Sequence, residues 1–387
     1  MEIREMDQTY VANTYGRFDL ALVKGKGSLL YDEKGKEYID LGTGIAVNIF
    51  GVADDAWQQA VTDQMGRLPH ACNLYYTAPQ AELAKLLCEK TGMKKVFFGN
   101  SGAEANECLI KVARKYAYDT KGEENPVIVT LKNSFHGRTV TTLSATGQDG
   151  FHQYFGPFTP GFVHVDPDNF AEMEAALKNP KVCAVLMEMV QGEGGIHVLD
   201  KAYVQKTAAL CKEKGILLLA DEVQTGNGRT GELFAYMHYG ISPDVVSTAK
   251  GLGGGLPIGA CLMNEKTAGV LNLGSHGSTF GGNPICAAGA LSIVSRLNEA
   301  LLQDVRERNR YILQSLSGAP GVKSVSGLGL MLGVETEKPA KEVVAACQEK
   351  GVLVLTAKQK VRLLPALNIP MALLEQGIAI LKEVVAP

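Results

Sequence analysis

Ser242-Pro-Asp-Val-Val-Ser-Thr-Ala-Lys-Gly-Leu-Gly-Gly-Gly-Leu-Pro-Ile-Gly259 puts one lysine, Lys250, between a β-branched run and a glycine-rich turn. Asp244 to Thr248 reads as a buried strand that Gly251 to Gly255 ends. A lysine just past the carboxyl end of such a strand sits where open α/β sheets hold ligands. Its amine, with an ordinary pKa near ~10.4, is mostly protonated and a poor nucleophile. Desolvation, or covalent capture by an aldehyde, makes such an amine chemically useful. A plain surface lysine fits this stretch about equally well, so the rest of the chain must decide.

Upstream of Lys250 the pattern is strand, loop, helix. Short apolar strands are expected at Val96–Phe98, Val127–Leu131, Phe162–Val165, Val182–Met187 and Ile216–Ala220. Helices are expected over Ala103–Tyr116, Phe170–Leu177 and Tyr203–Lys212, with two earlier ones over Ala56–Met65 and Gln80–Glu89. Near-continuous apolar strands between helices imply a mostly parallel sheet covered on both faces. Before it, Asp32 to Gly35 turns a small hairpin, and Gly42–Asn48 reads as a loop. After Gly282-Asn-Pro284, Ile285–Leu316 reads as one long helical segment. The tail then gives strand (Leu330–Val334), helix (Lys341–Glu349), strands (Val352–Leu355 and Val361–Leu364) and helix (Met371–Val384). The expected fold is α/β: residues 1–50 join a small α+β domain, 51–284 form the large domain, and 285–387 complete the small one.

At 387 residues the chain can bury a large core. A net charge of −3 with no long basic run gives no sign of nucleic-acid binding. The first residues are charged and lack the apolar run of a secretory leader. Eight cysteines are scattered without a CxxC pair, so neither a zinc site nor a disulfide framework is expected, and the reading is a cytoplasmic protein with reduced thiols.

Several segments carry chemistry-bearing residues at predicted strand ends. Gly99-Asn-Ser-Gly-Ala-Glu-Ala-Asn106 opens a helix with small residues. The open N–H groups suit a phosphate, and Ser101 adds a hydroxyl; Ser101 and Glu104 also fit a helix-capping box. Ser134-Phe-His-Gly-Arg-Thr139 supplies a ring (Phe135), an imidazole (His136) and a guanidinium (Arg138) suited to a carboxylate. Glu188 and Glu193 lie in Met187-Glu-Met-Val-Gln-Gly-Glu-Gly-Gly195. Leu217-Leu-Leu-Ala runs straight into Asp221, a carboxylate costly to bury without a cationic partner, and a pyridine nitrogen is one such partner. Ser278 and Thr279 fall in the hydroxyl-rich loop Gly277–Pro284. Together these are the parts that pyridoxal phosphate needs: phosphate cradle, stacking ring, ring-nitrogen partner and lysine.

The pattern resembles the class III (ω-amino) aminotransferases of PLP fold type I, in particular the branch that uses acetylornithine. Thr14-Tyr15, Gly42–Asn48, Asn73-Leu-Tyr-Tyr76, Asn100–Asn106, Phe135–Arg138, Gln191–Gly195, Asp221–Gln224, Gly228–Gly231, Ala249–Leu252 and Gly277–Pro284 carry the resemblance along the whole chain. It implies that Lys250 holds pyridoxal 5′-phosphate and shuttles a proton, and that Asp221 pairs with the ring nitrogen. Ser101, Gly102 and Ala103 would bind the phosphate, with Thr279 supplied by the neighbouring subunit of a homodimer. Phe135 and Val223 would cover the two ring faces, Gln224 would meet the ring hydroxyl, and His136 and Glu188 would complete the cofactor site. On the substrate side the resemblance implies Tyr15, Arg138, Ser278 and Arg362, with Glu193 pairing with Arg362 until glutamate arrives. The implied reaction moves the δ-amino group of N-acetylornithine to 2-oxoglutarate; ornithine, succinylornithine and 4-aminobutyrate are the neighbouring donors. Where the family usually has Gly-His-x-His-Pro, this chain has Gly51-Val-Ala-Asp-Asp-Ala-Trp57, at the start of a predicted helix. A dinucleotide-binding oxidoreductase built on Gly251–Gly255 is disfavoured, because Ile258–Leu262 reads as a strand where that fingerprint needs a helix.

Overall fold

The computed structural model describes residues 2–387. Its organising element is a seven-stranded sheet in the order Lys95–Gly99, Gly259–Met263, Val245–Thr248, Leu217–Asp221, Val182–Met187, Val127–Leu131, Phe162–Val165. Only Gly259–Met263 runs against its neighbours. Every residue of Val182–Met187, Leu217–Asp221 and Val245–Thr248 is buried. That is why Val182–Met187 and Leu217–Ala220 read as unbroken apolar runs: both faces are covered and no alternation is needed. Six strands therefore end on one edge, and the chain reverses there through Asn100–Gly102, Ser134–Arg138, Glu188, Asp221–Gln224 and Lys250.

Two smaller sheets flank the large one. Leu22–Lys26, Leu29–Asp32 and Glu37–Asp40 form an antiparallel meander, and Val352–Leu353 lies parallel to Glu37–Asp40. Val322–Leu328, Met331–Thr336, Lys360–Leu363 and Leu355–Ala357 form an antiparallel sheet.

Four expectations are corrected. Ile285–Leu316 is two helices, Pro284–Arg296 and Glu299–Leu316, bent by 75°. Asn298 caps the second by accepting the Leu301 N–H (3.0 Å), while Lys90 Nζ donates to the freed Leu297 carbonyl (2.9 Å). The tail strand expected over Val352–Leu355 is divided between two sheets. Val322–Leu328, not expected from sequence, is a strand with no fully buried position. Gly42–Asn48 is more than a loop: Thr43 to Ala46 all have φ between 46° and 64°, a left-handed turn. Residues with a Cβ resist that conformation by about 1–2 kcal/mol each. The turn is held by Asp40 Oδ1, which accepts the N–H groups of Gly42 (2.9 Å) and Thr43 (2.7 Å), and by Thr43 Oγ1, which donates to Leu364 O (2.6 Å).

The segment that departs from the family pattern starts a helix, Asp55–Arg67. Asp54 caps it by accepting the Trp57 N–H (3.0 Å) and pairs with Arg296 (2.7 Å). All eight cysteines are free thiols, six of them buried. Among the described residues no single helix is long and apolar enough to cross a membrane.

Candidate active site

Lys250 follows the strand Val245–Thr248 by two residues and enters a cavity of about 260 Å³ at the carboxyl edge of the large sheet. Gly102, Ala103, Asn106, Phe135–Arg138, Glu188, Glu193, Asp221, Val223 and Gln224 complete its lining. Burial holds the Lys250 amine below its ordinary pKa; Asp221, Glu193 and Glu188 pull the other way.

Asp221 is the most heavily tied carboxylate in the cavity. Oδ2 accepts from Asn106 Nδ2 (2.7 Å) and faces His136 Nδ1 (2.8 Å), while Oδ1 accepts the Val223 N–H (3.0 Å). Asn106 also donates to His136 O (2.8 Å) and accepts from Ser247 Oγ (2.6 Å). One buried amide thus fastens the helix Gly102–Lys121, the Phe135–Arg138 segment and two central strands around Asp221.

Glu188 lies just past the strand Val182–Met187. It accepts the N–H groups of Phe135 (2.9 Å) and Gly192 (3.2 Å). Burial pushes its carboxyl up to about 7, helped by the charge of Asp221 and opposed by His136. Its chief visible work is to hold the Phe135 backbone.

The 20-residue helix Gly102–Lys121 begins at the cavity wall. Ser101 caps it by accepting the Glu104 N–H (3.1 Å), and Glu104 reaches back to the N–H of Asn100. This is the capping box shifted by one residue, and it leaves the Ser101 proton free to donate. A Cβ on Gly102 would stand 2.6 Å from Val223 Cγ1. Only glycine lets the helix start this close to the Val223 wall.

At the far side Arg362, 3% exposed, donates from Nη1 to Glu193 Oε1 (2.6 Å) and more weakly to Gln224 Oε1 (3.3 Å). Among the described residues its Nε has no partner. Arg138 is exposed at the mouth, with its guanidinium 4.3 Å from the Phe151 ring centroid and 5.6 Å from that of Phe135.

The sequence model of the family described as Aminotransferase class-III matches residues 10–385. The chain belongs to this family. It is 48% identical over 387 residues to the acetylornithine aminotransferase of Haemophilus ducreyi, covering 100% of this chain and 98% of that one. It is 42% identical to the acetylornithine aminotransferase of Methanocaldococcus jannaschii, covering 98% and 97%. Among solved structures, the ornithine aminotransferase of Toxoplasma gondii superposes with a TM-score of 0.95 at 32% identity, covering 99% of this chain and 94% of that one. The N-acetylornithine aminotransferase of Stenotrophomonas maltophilia gives 0.85 at 32% identity, covering 98% of both. The α/β architecture of this class-III chain, a mostly parallel large sheet beside smaller sheets, agrees with these neighbours.

Of the residues singled out in this class-III sequence, Lys250, Asp221, Gly102, Ala103, Phe135, His136, Glu188, Val223, Gln224, Arg138 and Glu193 line one cavity. Arg362 joins it through Glu193, and Ser101 stands at the helix start. Three others stand apart. Tyr15, 70% exposed, lines a separate cleft of about 590 Å³ beside Gly42 and Leu355. Ser278 Oγ accepts from Asn100 Nδ2 (3.1 Å) and the Gly281 N–H (2.9 Å), so it clasps its own loop. Thr279 is exposed. Sequence reasoning gave Asn106 no role. Its signal was an amide on the sheet-facing side of an amphipathic helix, which reveals nothing until the partners are known.

Proposed function

We propose that this class-III chain transfers the δ-amino group of N2-acetyl-L-ornithine to 2-oxoglutarate. The products are N-acetyl-L-glutamate 5-semialdehyde and L-glutamate, a step of arginine biosynthesis. The cofactor is pyridoxal 5′-phosphate, and the residues present fit it. A helix N-terminus suits a phosphate, Phe135 and Val223 offer two apolar faces, and Asp221 is a fixed carboxylate with Lys250 in the same cavity. The chemistry supplied when it is bound is an aldehyde that captures amines and a pyridine ring that accepts electrons.

Ser101, Gly102 and Ala103 hold the phosphate at the helix start. Asp221 keeps the ring nitrogen protonated, and Asn106 and His136 keep Asp221 in place. Gln224 meets the ring hydroxyl. Burial lowers the pKa of the Lys250 amine, which favours the unprotonated form that a base requires. Nζ takes the proton from the substrate carbon that bears the transferred amine. Arg138 binds the α-carboxylate of the acetylated donor. Arg362 stays covered by Glu193 during that half-reaction and receives the α-carboxylate of 2-oxoglutarate once Glu193 swings aside.

The observation that carries the donor assignment is the state of the cavity's carboxylates. Asp221 and Glu188 are engaged by hydrogen-bond donors, and Glu193 is taken by Arg362. Among the described residues lining the cavity, each carboxylate already has at least one donor, which leaves little unengaged negative charge for a free α-ammonium. That favours a donor whose α-amine is acylated over ornithine itself. The relatives described as acetylornithine aminotransferases support the same choice.

The working form is a cytoplasmic homodimer, with residues 51–284 as the large domain and 1–50 with 285–387 as the small one. Pairing of Val352–Leu353 with Glu37–Asp40 supports that division. Asn73 Nδ2 donates to Ser278 O (3.0 Å) and Gly281 O (2.9 Å), which brings Leu74, Tyr75 and Tyr76 beside Thr279 and Phe280. Leu74 is 90% exposed and Tyr76 fully so, an apolar surface suited to a second copy. In that dimer Thr279 completes the partner's phosphate site. Turnover of acetylornithine, ornithine and 4-aminobutyrate with 2-oxoglutarate tests the reading. Acetylornithine should give the highest kcat/KM, and a preference for either of the others overturns the donor assignment.

A further inference from the structure

Lys250 has φ +44°, a left-handed conformation that a residue with a Cβ keeps only when its surroundings hold it. The turn after it does part of that work. Gly253 N–H donates to Lys250 O (3.0 Å), and Leu252 N–H to Ala249 O (2.9 Å). On one side Asn227 Nδ2 donates to Thr248 Oγ1 (2.9 Å) and Ala249 O (3.3 Å). From the other side comes Trp57, the one tryptophan of the chain. Its indole Nε1–H donates to Gly253 O (3.0 Å) across 196 positions of sequence.

The indole nitrogen sits in a slot cut by missing side chains. A Cβ on Gly289, in the helix Pro284–Arg296, would stand 3.0 Å from Nε1, and one on Gly254 3.2 Å from it. The helix that carries Trp57 is fixed at its start by Asp54, which caps it and pairs with Arg296. Arg296 in turn lies 4.0 Å over the Phe50 ring centroid. Of these residues, Asp54 and Trp57 belong to the Gly51–Trp57 segment in which the chain departs from the family pattern.

We propose that Trp57 is a positioning residue for the aminotransferase reaction: its indole clamps the glycine turn after Lys250 and so fixes the aim of the lysine amine. The proposal rests on the role given to Lys250 above. Trp57 touches neither substrate nor cofactor. It acts through the Gly253 carbonyl and the strained backbone next to it. The groups facing the Lys250 amine are Asp221, Glu193, Glu188 and Arg362, so a small change of aim alters which charges it meets.

Trp57→Phe keeps a ring and removes the donor. In the holoenzyme kcat should fall about tenfold with KM within about twofold, the signature of an interaction that matters in the transition state. In cofactor-free protein, trace acylation against pH, read by peptide mass spectrometry, follows the Lys250 amine itself. Its midpoint should move up toward the ordinary value near ~10.4 as the turn loosens and water reaches the amine. A folded variant with kcat and midpoint unchanged, even with a lower melting temperature, makes Trp57 mere packing and overturns the proposal. If Trp57→Phe does not fold, Gly289→Ala presses on the same indole from the neighbouring helix. It should produce the same two shifts, and the absence of both overturns the proposal equally. The labelling arm needs no donor, so wild-type protein that fails to use acetylornithine would refute the donor assignment and leave the clamp test readable.

Discussion

Asn106→Ala should damage stability and turnover together, because one buried amide serves three partners. The substitution removes a hydrogen bond to the Asp221 carboxylate (2.7 Å), one to His136 O (2.8 Å) and one from Ser247 Oγ (2.6 Å). A hydrogen bond to a charged group contributes about 1.5–3 kcal/mol and a neutral one about 0.5–1.5 kcal/mol. After partial relaxation of the site the expected loss is about 3 kcal/mol, read by urea unfolding of cofactor-free protein near neutral pH. Asp221 would keep His136 and the Val223 N–H, so it would stay in the site but lose its rigid aim. The holoenzyme should lose at least about tenfold in kcat, equivalent to ~1.4 kcal/mol. Asn106→Asp should do no better, since it sets a second carboxylate against Asp221. A loss below about 0.5 kcal/mol with unchanged kcat would refute the view that Asn106 organises this site.

Three further outcomes follow from the geometry. Arg138→Ala should raise KM for acetylornithine more than for glutamate, whose carboxylate we assign to Arg362; steady-state kinetics with both substrates checks this, and the reverse ranking would exchange the two arginines. Burial raises the Glu222 carboxyl to about 7, although Thr225 Oγ1 and the N–H groups of Ala235 (2.9 Å) and Tyr236 (2.8 Å) donate to it. The native state then binds more protons than the unfolded chain between about pH 4.5 and 7, so the Glu222 contribution is fullest at the acid end and is lost as pH rises through about 7. Glu222→Gln should flatten that slope in unfolding measurements at several pH values. Finally, a shared phosphate site requires activity to fall on dilution below the dimer dissociation constant, and Thr279→Ala should weaken cofactor retention; a fully active monomer contradicts both.

Much of the large sheet was legible because burial on both faces leaves an unmistakable signal. Val182–Met187 and Leu217–Ala220 are apolar end to end, and the chemistry starts where each run stops, at Glu188 and Asp221. Helix limits were legible where a cap marked them, as at Ser101. The break after Arg296 was not: Leu297-Asn298 contains neither glycine nor proline, and Asn298 acts as a cap only once the chain has turned. Val322–Leu328 was hidden by its mixed polarity, since it has no fully buried face to impose a period of two. The left-handed turn at Thr43–Ala46 depends on Asp40 and Leu364, the second of them more than 300 residues away. Asn106 and Trp57 were invisible as site residues for the same reason, because their meaning lies in the partners that the fold brings to them.

The most direct test is to load the protein with pyridoxal 5′-phosphate, reduce it with borohydride and map the pyridoxyl group by peptide mass spectrometry. The label should fall on Lys250 alone and disappear in Lys250→Ala together with turnover. A label on another side chain, or an unlabelled protein after reconstitution, would contradict the account at its centre.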